Sequence, residues 1–357
     1  DGASSIADLM EAAKNSGVNT IALTDHGNMF GAKDFFDQAQ KNDVKPIIGV
    51  EAYMARRARD KKEGQEDRSG YHLLLLAKNQ TGYHNLVRMT SIANIEGYYY
   101  KPRIDRDVLL KYKEGVMVSS ACLGGEIPQL IMKGKLEEAE KAALWFKEHF
   151  GDDYYLELMR HQSGNPKIDK NVYNNQQRVN QEIVKLAQKL DIPLIATNDS
   201  HFSRAEDAEA HDLLICLNTG KDLDDESRMR YTGQEYLKTP DEMYKLFGDI
   251  PEALENTVKL AEKVEKFELD HEPIMPEFPI PEGFEDANAY LRHITYEGAR
   301  ERYPEITDEI RERLDFELET IKSMGFPSYF LIVWDFIRAA KEDLKVIVGP
   351  GRGSAAG

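Results

Sequence analysis

Four apolar runs in this sequence carry, or lead into, residues of the types that can bind metal ions. Asp25 and His26 follow Thr20–Thr24 (TIALT), and Glu51 lies late in Lys45–Met54 (KPIIGVEAYM). Cys122 closes Val116–Cys122 (VMVSSAC), and Asp199-Ser200-His201 follows Pro193–Thr197 (PLIAT). Imidazole, carboxylate and thiolate are first-row metal donors, and imidazole with carboxylate suits zinc, manganese or iron. Taken singly, each is ordinary. An Asp-His pair makes a turn, a strand-end cysteine packs as a small hydrophobe, and a glutamate caps a helix. Four such residues at the same end of four strands are a different matter, and a metal site is the expectation.

The elements that would position them alternate. His72–Ala77 (HLLLLA) and Tyr154–Met159 (YYLELM) complete six short runs, nearly continuous in apolar residues, as in parallel strands buried on both faces. Amphipathic segments separate them, at Ser5–Ser16 before Gly17, Lys135–His149 and Asn175–Leu190. Serines suited to N-capping and a closing glycine mark the first as a helix. Strands alternating with helices predict a β/α barrel, α/β in class, with its first strand just before Asp1. In such barrels catalytic groups gather at the C-terminal ends of the strands. His72 opens its run, so a parallel strand would put it at the opposite end.

At about 100–200 residues per domain, 357 residues argue for two domains, or two and a fraction. Beyond Phe202 the pattern turns helical, with Thr239-Pro240-Asp241-Glu242 a helix start. Pro273–Pro281 (PIMPEFPIP) reads as an extended linker. The expected division is 1–270, a linker over 271–284, and a further domain over 285–357. Helices around 287–303, 307–324 and 329–341 and a strand at 345–348 are predicted in the last. Asp1 follows no Met and Gly357 ends inside a glycine-rich stretch, so the chain reads as a piece of something longer. No charged-and-apolar leader is visible, no run approaches a membrane span, and two cysteines form no disulfide framework, so a cytoplasmic setting is expected. The net charge is −17, of which residues 241–320 carry −14. That stretch is unfit to track a phosphate backbone, and the remainder can still receive a phosphodiester.

TDHGNMFG (24–31), GVEAY (49–53), YHLLLLAKNQTGY (71–83), KPRID (101–105) and TNDSHF (197–202) together resemble the PHP domain of bacterial replicative, C-family DNA polymerase III alpha subunits. MGFPSYFLIVWDFI (324–337) and GPGRGSAAG (349–357) resemble the start of the palm in the same family. The resemblance implies a distorted seven-stranded barrel of PHP type, its first strand truncated here, then a helical and proline-rich connection and the beginning of the palm. It implies up to three zinc or manganese ions, two of whose ligands form a His-x-His pair on the strand missing here. Asp1, His26, Glu51, His72, Cys122, Asp199 and His201 match the remaining ligand positions. The family's barrel is associated with metal-dependent 3′–5′ exonuclease activity. Lys101 and Arg103 are either a clamp for substrate phosphates or surface charges.

A strand followed by Gly-Pro-Gly-Arg-Gly-Ser can wrap an anion in backbone N–H groups. With the resemblance, Gly351, Arg352, Gly353 and Ser354 are the expected contacts to a nucleotide triphosphate. The aspartates holding the two magnesium ions of polymerisation would lie beyond Gly357. Implied partners are a DNA primer-template, dNTP, a sliding clamp and other replisome subunits, with no membrane. Two rivals stand beside this reading. One is a free-standing PHP phosphatase, which needs no such glycine-rich tail. The other is a non-catalytic barrel that docks a separate proofreading exonuclease. His84, His149, His161, His211, His271 and His293 fit no ligand position. Tyr98-Tyr99-Tyr100 either stacks bases or packs a loop.

Overall fold

The computed structural model describes residues 2–270 and 274–349 and divides into two compact units, Asp1–Leu269 and Asp270–Gly357. Asp1 and the triphosphate candidates Gly351, Arg352, Gly353 and Ser354 lie outside the described residues.

The first unit is built on one seven-stranded mixed sheet, curled into a half-barrel. Its strands are β1 (Thr20–Leu23), β2 (Lys45–Ala55), β3 (Gly70–Ala77), β4 (Arg103–Ile104), β5 (Val116–Ser119), β6 (Tyr154–Leu158) and β7 (Leu194–Ala196). They lie in the order β1-β2-β3-β5-β6-β7, with β4 added to β2. All six apolar runs in this unit are strands. β4 has only two residues, too few for any hydrophobic period to register.

One expectation fails. The pairs β1–β2, β5–β6 and β6–β7 are parallel, but β3 runs antiparallel to both β2 and β5. Parallel neighbours need a crossover, usually a helix with an apolar face. Residues 56–69 have no apolar residue except Ala58, so they cannot lay such a helix on the sheet. They return directly, pinned by the Arg57–Asp67 ion pair and by the Glu63 N–H donated to Asp67. The reversal carries the start of β3 to the end of the sheet where β1, β5 and β7 finish.

Helices cover the sheet. In Ile6–Ser16 the Ser5 side chain accepts the Asp8 N–H, and Gly17 at φ +71° closes the helix. Its buried Leu9, Met10 and Ala13 join Phe35, Phe36, Leu75, Leu86, Phe146, Leu156 and Val179 in one continuous core. Thr239 and Glu242 cap Pro240–Phe247 reciprocally, a feature of about 1 kcal/mol.

In the second unit Asp286 and Thr307 cap Ala287–Arg302 and Asp308–Ser323, and Pro327–Arg338 follows. Leu291, Leu318 and Leu331 form its core, and Phe278 and Ile280 of the proline-rich stretch pack against them. That part of the stretch is therefore attached to its helices. The strand predicted at 345–348 is not formed among the described residues. A strand needs a partner ladder, and no described strand pairs with it.

Gly82 and Gly115 meet where Gln80–Ile95 approaches the sheet, and a Cβ on Gly82 would overlap the Gly115 carbonyl. Gly82→Ala should destabilise the first unit by about 1–3 kcal/mol in urea unfolding. Thr81→Ala, exposed one residue earlier, should shift it by less than about 0.5 kcal/mol.

Candidate metal centre

The site forms around Glu51, buried midway along β2. Chain pairing continues past the end of β1, because Glu51 N donates to Asp25 O (3.0 Å) and Gly27 N to Glu51 O (2.9 Å). This places His26 beside Glu51, with Nδ1 3.0 Å from Oε2. From the other side His72, near the start of the reversed β3, brings its Nδ1 to 2.5 Å from Glu51 Oε1. Cys122 Sγ lies 3.4 Å from His72 Nδ1 and 3.8 Å from Glu51 Oε1. Glu51, His72 and Cys122 each offer a donor atom within 4.8 Å of the others. Bonds of about 2.0–2.3 Å from nitrogen, oxygen and sulfur to one zinc ion fit that spacing.

Backbone geometry holds these donors tightly. His72 N donates to Gly124 O (3.0 Å), and a Cβ on Gly124 would stand 2.9 Å from the His72 ring. Ala121 and Asp199 have φ of +59° and +46°, left-handed values that cost a non-glycine residue about 1 kcal/mol or more. Both stand next to the site. His201 is 6.1 Å from His26, ring to ring. Its Nδ1 lies 2.7 Å from Asp199 O, and the Tyr231 hydroxyl is 3.2 Å from its Nε2.

Burial pushes the Glu51 carboxyl up, but hydrogen bonds from His26 and His72 outweigh it, and the group sits well below the usual carboxylate range. The same bond to Glu51 raises His26. Burial drives the Cys122 thiol well up, reinforced by the Asp199 and Glu51 charges. Asp199 is raised by burial against the opposing pull of His201. A cation placed here would favour the ionised form of every one of these acids.

Other candidates separate. Asp25 accepts the Gly31 N–H and serves the turn after β1. Arg103 is no phosphate clamp: it is 0% exposed, and its guanidinium donates to the carbonyls of Gly97, Arg59 and Lys61. Lys101 is exposed, with Nζ 5.4 Å above the Tyr53 ring, which is stacked on His26. Tyr99 and Tyr100 pack edge to face, and Arg68 lies over Tyr100. His161 and His211 are buried; His161 is held by Gln176 and the Asn198 carbonyl. Sequence reasoning passed over Tyr53, Tyr231 and Glu157. Only Glu157 left a signal, as one charge inside the apolar run YYLELM.

Residues 1–161 match the PHP domain family, and 289–357 match the family described as bacterial DNA polymerase III alpha NTPase domain. The DNA polymerase III subunit alpha of Borreliella burgdorferi is 48% identical over all of this chain and 30% of its own length. That of Treponema pallidum is 42% identical, with the same coverage. The chain thus spans about 30% of the length of these curated relatives. An amidohydrolase structure from Chromobacterium violaceum aligns with 57% of this chain and 84% of its own, at 12% identity and TM-score 0.36. Among the described residues no helix is long and apolar enough to cross a membrane.

Arg103→Met should cost about 2–4 kcal/mol of stability, since three carbonyls lose their donor, and leave zinc affinity unchanged. Glu157 gives a pH signature. Burial lifts its carboxyl from 4.5 to about 7. A folded-state value above the unfolded one contributes stability that is complete below the unfolded value and lost as pH rises through the folded value. In chelator, the thermal midpoint of the protein should fall between about pH 5 and pH 8. That of Glu157→Gln should fall less.

Proposed function

The chain resembles bacterial DNA polymerase III alpha subunits along its whole length, and from that premise we propose that it is the N-terminal, metal-binding part of a replicative DNA polymerase. The first unit is its PHP domain, and 285–357 begins the palm. The barrel is a metal-dependent phosphoesterase that removes nucleotides from a DNA 3′ end. The observation that supports this most directly is the meeting of Glu51, His72 and Cys122 donor atoms within 4.8 Å.

His26, Glu51, His72, Cys122, Asp199 and His201 hold zinc or manganese, with Asp1 completing the set. Such an ion supplies Lewis acidity, which activates water and neutralises phosphate oxygens. Glu51 orients His26 and His72 through one hydrogen bond to each. Lys101, exposed above Tyr53 at the edge of the site, meets the phosphate next to the scissile one. The acidic stretch 241–320 keeps away from the DNA path. Gly351, Arg352, Gly353 and Ser354 contact the incoming dNTP, with magnesium held by residues further along the polypeptide. The whole protein works in the cytoplasm on primer-template DNA, with a sliding clamp and other replisome subunits.

In the full-length polypeptide loaded with zinc or manganese, single-stranded DNA should lose nucleotides from its 3′ end. Mismatched primer termini should be trimmed faster than paired ones, because frayed ends cost less to unpair. Asp199→Asn and His201→Ala should each abolish hydrolysis with folding retained, and should fail together rather than additively. Equal hydrolysis by parent and variants would assign the activity to a contaminant. Metal uptake without hydrolysis, with a lower melting temperature in both variants, would make the barrel a metal-stabilised scaffold for a separate exonuclease.

A further inference from the structure

Glu157 is the fourth of five residues in a strand that otherwise buries only apolar and aromatic side chains, and it is 4% exposed. A buried carboxyl is costly unless its oxygens are satisfied, and an apolar residue of similar size is the cheaper occupant of such a place. Here the oxygens are satisfied in a particular pattern. One accepts the Ser119 hydroxyl and the Ala121 N–H (3.2 Å); the other accepts the Thr197 hydroxyl (2.6 Å). The Glu157 N–H donates to Ser120 Oγ (2.9 Å). In the sheet β6 lies between β5 and β7, so the one carboxyl spans both neighbours of its own strand.

The points it grips are not arbitrary. Ser119 is the last residue of β5, Ala121 is adjacent to Cys122, and Thr197 follows the last residue of β7, two before Asp199. Ala121 has its backbone in the left-handed region, a strained setting for a non-glycine residue that persists only where surrounding contacts over-determine it. The Glu157 carboxyl supplies one of those contacts directly, through the Ala121 N–H. Backbone pairing between the strands carries on only as far as Ser120 N on Tyr155 O and Thr197 N on Leu158 O, both 3.1 Å, so it stops short of Ala121, Cys122 and Asp199.

We infer that Glu157 is a positioning residue of the metal centre, setting the separation between the loop that carries Cys122 and the loop that carries Asp199 so that both can reach the same cluster. The inference rests on the metal reading above. It assigns Glu157 no contact with an ion. Its contribution passes through Ala121 and Thr197 to the two donors.

The test compares Glu157→Gln, Glu157→Ala and Thr197→Val in the full-length polypeptide by zinc titration and cobalt substitution. A glutamine can still accept from Ser119 and Ala121 and donate to Thr197 Oγ1, so its zinc affinity should stay within about threefold of the parent. Glu157→Ala should lose about 10–100-fold, the usual cost of removing an outer partner of metal ligands. Its cobalt form should lose intensity in the thiolate charge-transfer band of Cys122. Should Glu157→Ala not fold, Thr197→Val removes a single hydrogen bond and should lower zinc affinity by a smaller factor with secondary structure retained. A folded Glu157→Ala or Thr197→Val that melts earlier but binds zinc and cobalt like the parent overturns the inference and leaves the metal reading standing. A parent that takes up no zinc or manganese sinks both.

Discussion

The site depends on a strand that runs against its neighbours. With β3 antiparallel, His72 arrives at the end of the sheet where His26, Cys122 and Asp199 emerge, and the Glu51 carboxylate can bond to two imidazoles at once. Had β3 been parallel, His72 would stand several residues away along the strand direction, at about 3.3 Å per residue. Glu51 would then be buried with one partner, and a buried carboxylate with too few partners is among the costlier features a fold can carry. The strand direction in turn follows from a connection too polar to form a crossover helix.

Around Glu51 the balance of charge explains why the site suits a cation. One carboxylate is ionised and shared by histidines, while burial holds the Cys122 thiol and the Asp199 carboxyl towards their neutral forms. These acids sit close enough to raise one another. His26 is raised by its hydrogen bond to Glu51. Of the arginines on the connections around β2, Arg103 is engaged by backbone carbonyls and Arg57 by Asp67, while Lys101 stays exposed above the Tyr53 ring. An ion bound among the donors would relieve the repulsion and set the thiolate free to coordinate.

Packing divides the labour between scaffold and site. The continuous core of the first unit fixes the sheet and with it Glu51 and His72 on β2 and β3, while His26, Cys122, Asp199 and His201 sit on the turns that leave it. Those turns are stiff. Gly124 is pressed against the His72 ring, Ala121 and Asp199 take left-handed backbone angles, and His201 N is tied to the Glu235 carbonyl at 2.8 Å. Stiff turns keep several donors at separations of a few ångströms, which flexible loops would not maintain.

Much of this was legible in the residues alone. Continuous apolar runs identified six strands because burial on both faces leaves no polar alternation, and caps such as Ser5 and Thr239 located helices because unsatisfied N–H groups require acceptors. Donor residues at run ends offered Asp25, His26, Glu51, Cys122, Asp199 and His201 as candidates for one cluster. Asp25 turned out to serve a turn, and His72, which the run ends did not point to, stands with Glu51 and Cys122. Three things needed the tertiary structure. The direction of β3 did, because a run of apolar residues looks alike in either direction and only its pairing partners decide. The role of Arg103 did, because a charge on a loop and a charge buried among carbonyls are written with the same letter. The part played by Glu157 did also: its grip on Ser119, Ala121 and Thr197 joins residues 36 to 40 positions away from it. Hydrogen bonds at that range exist only once three strands lie side by side.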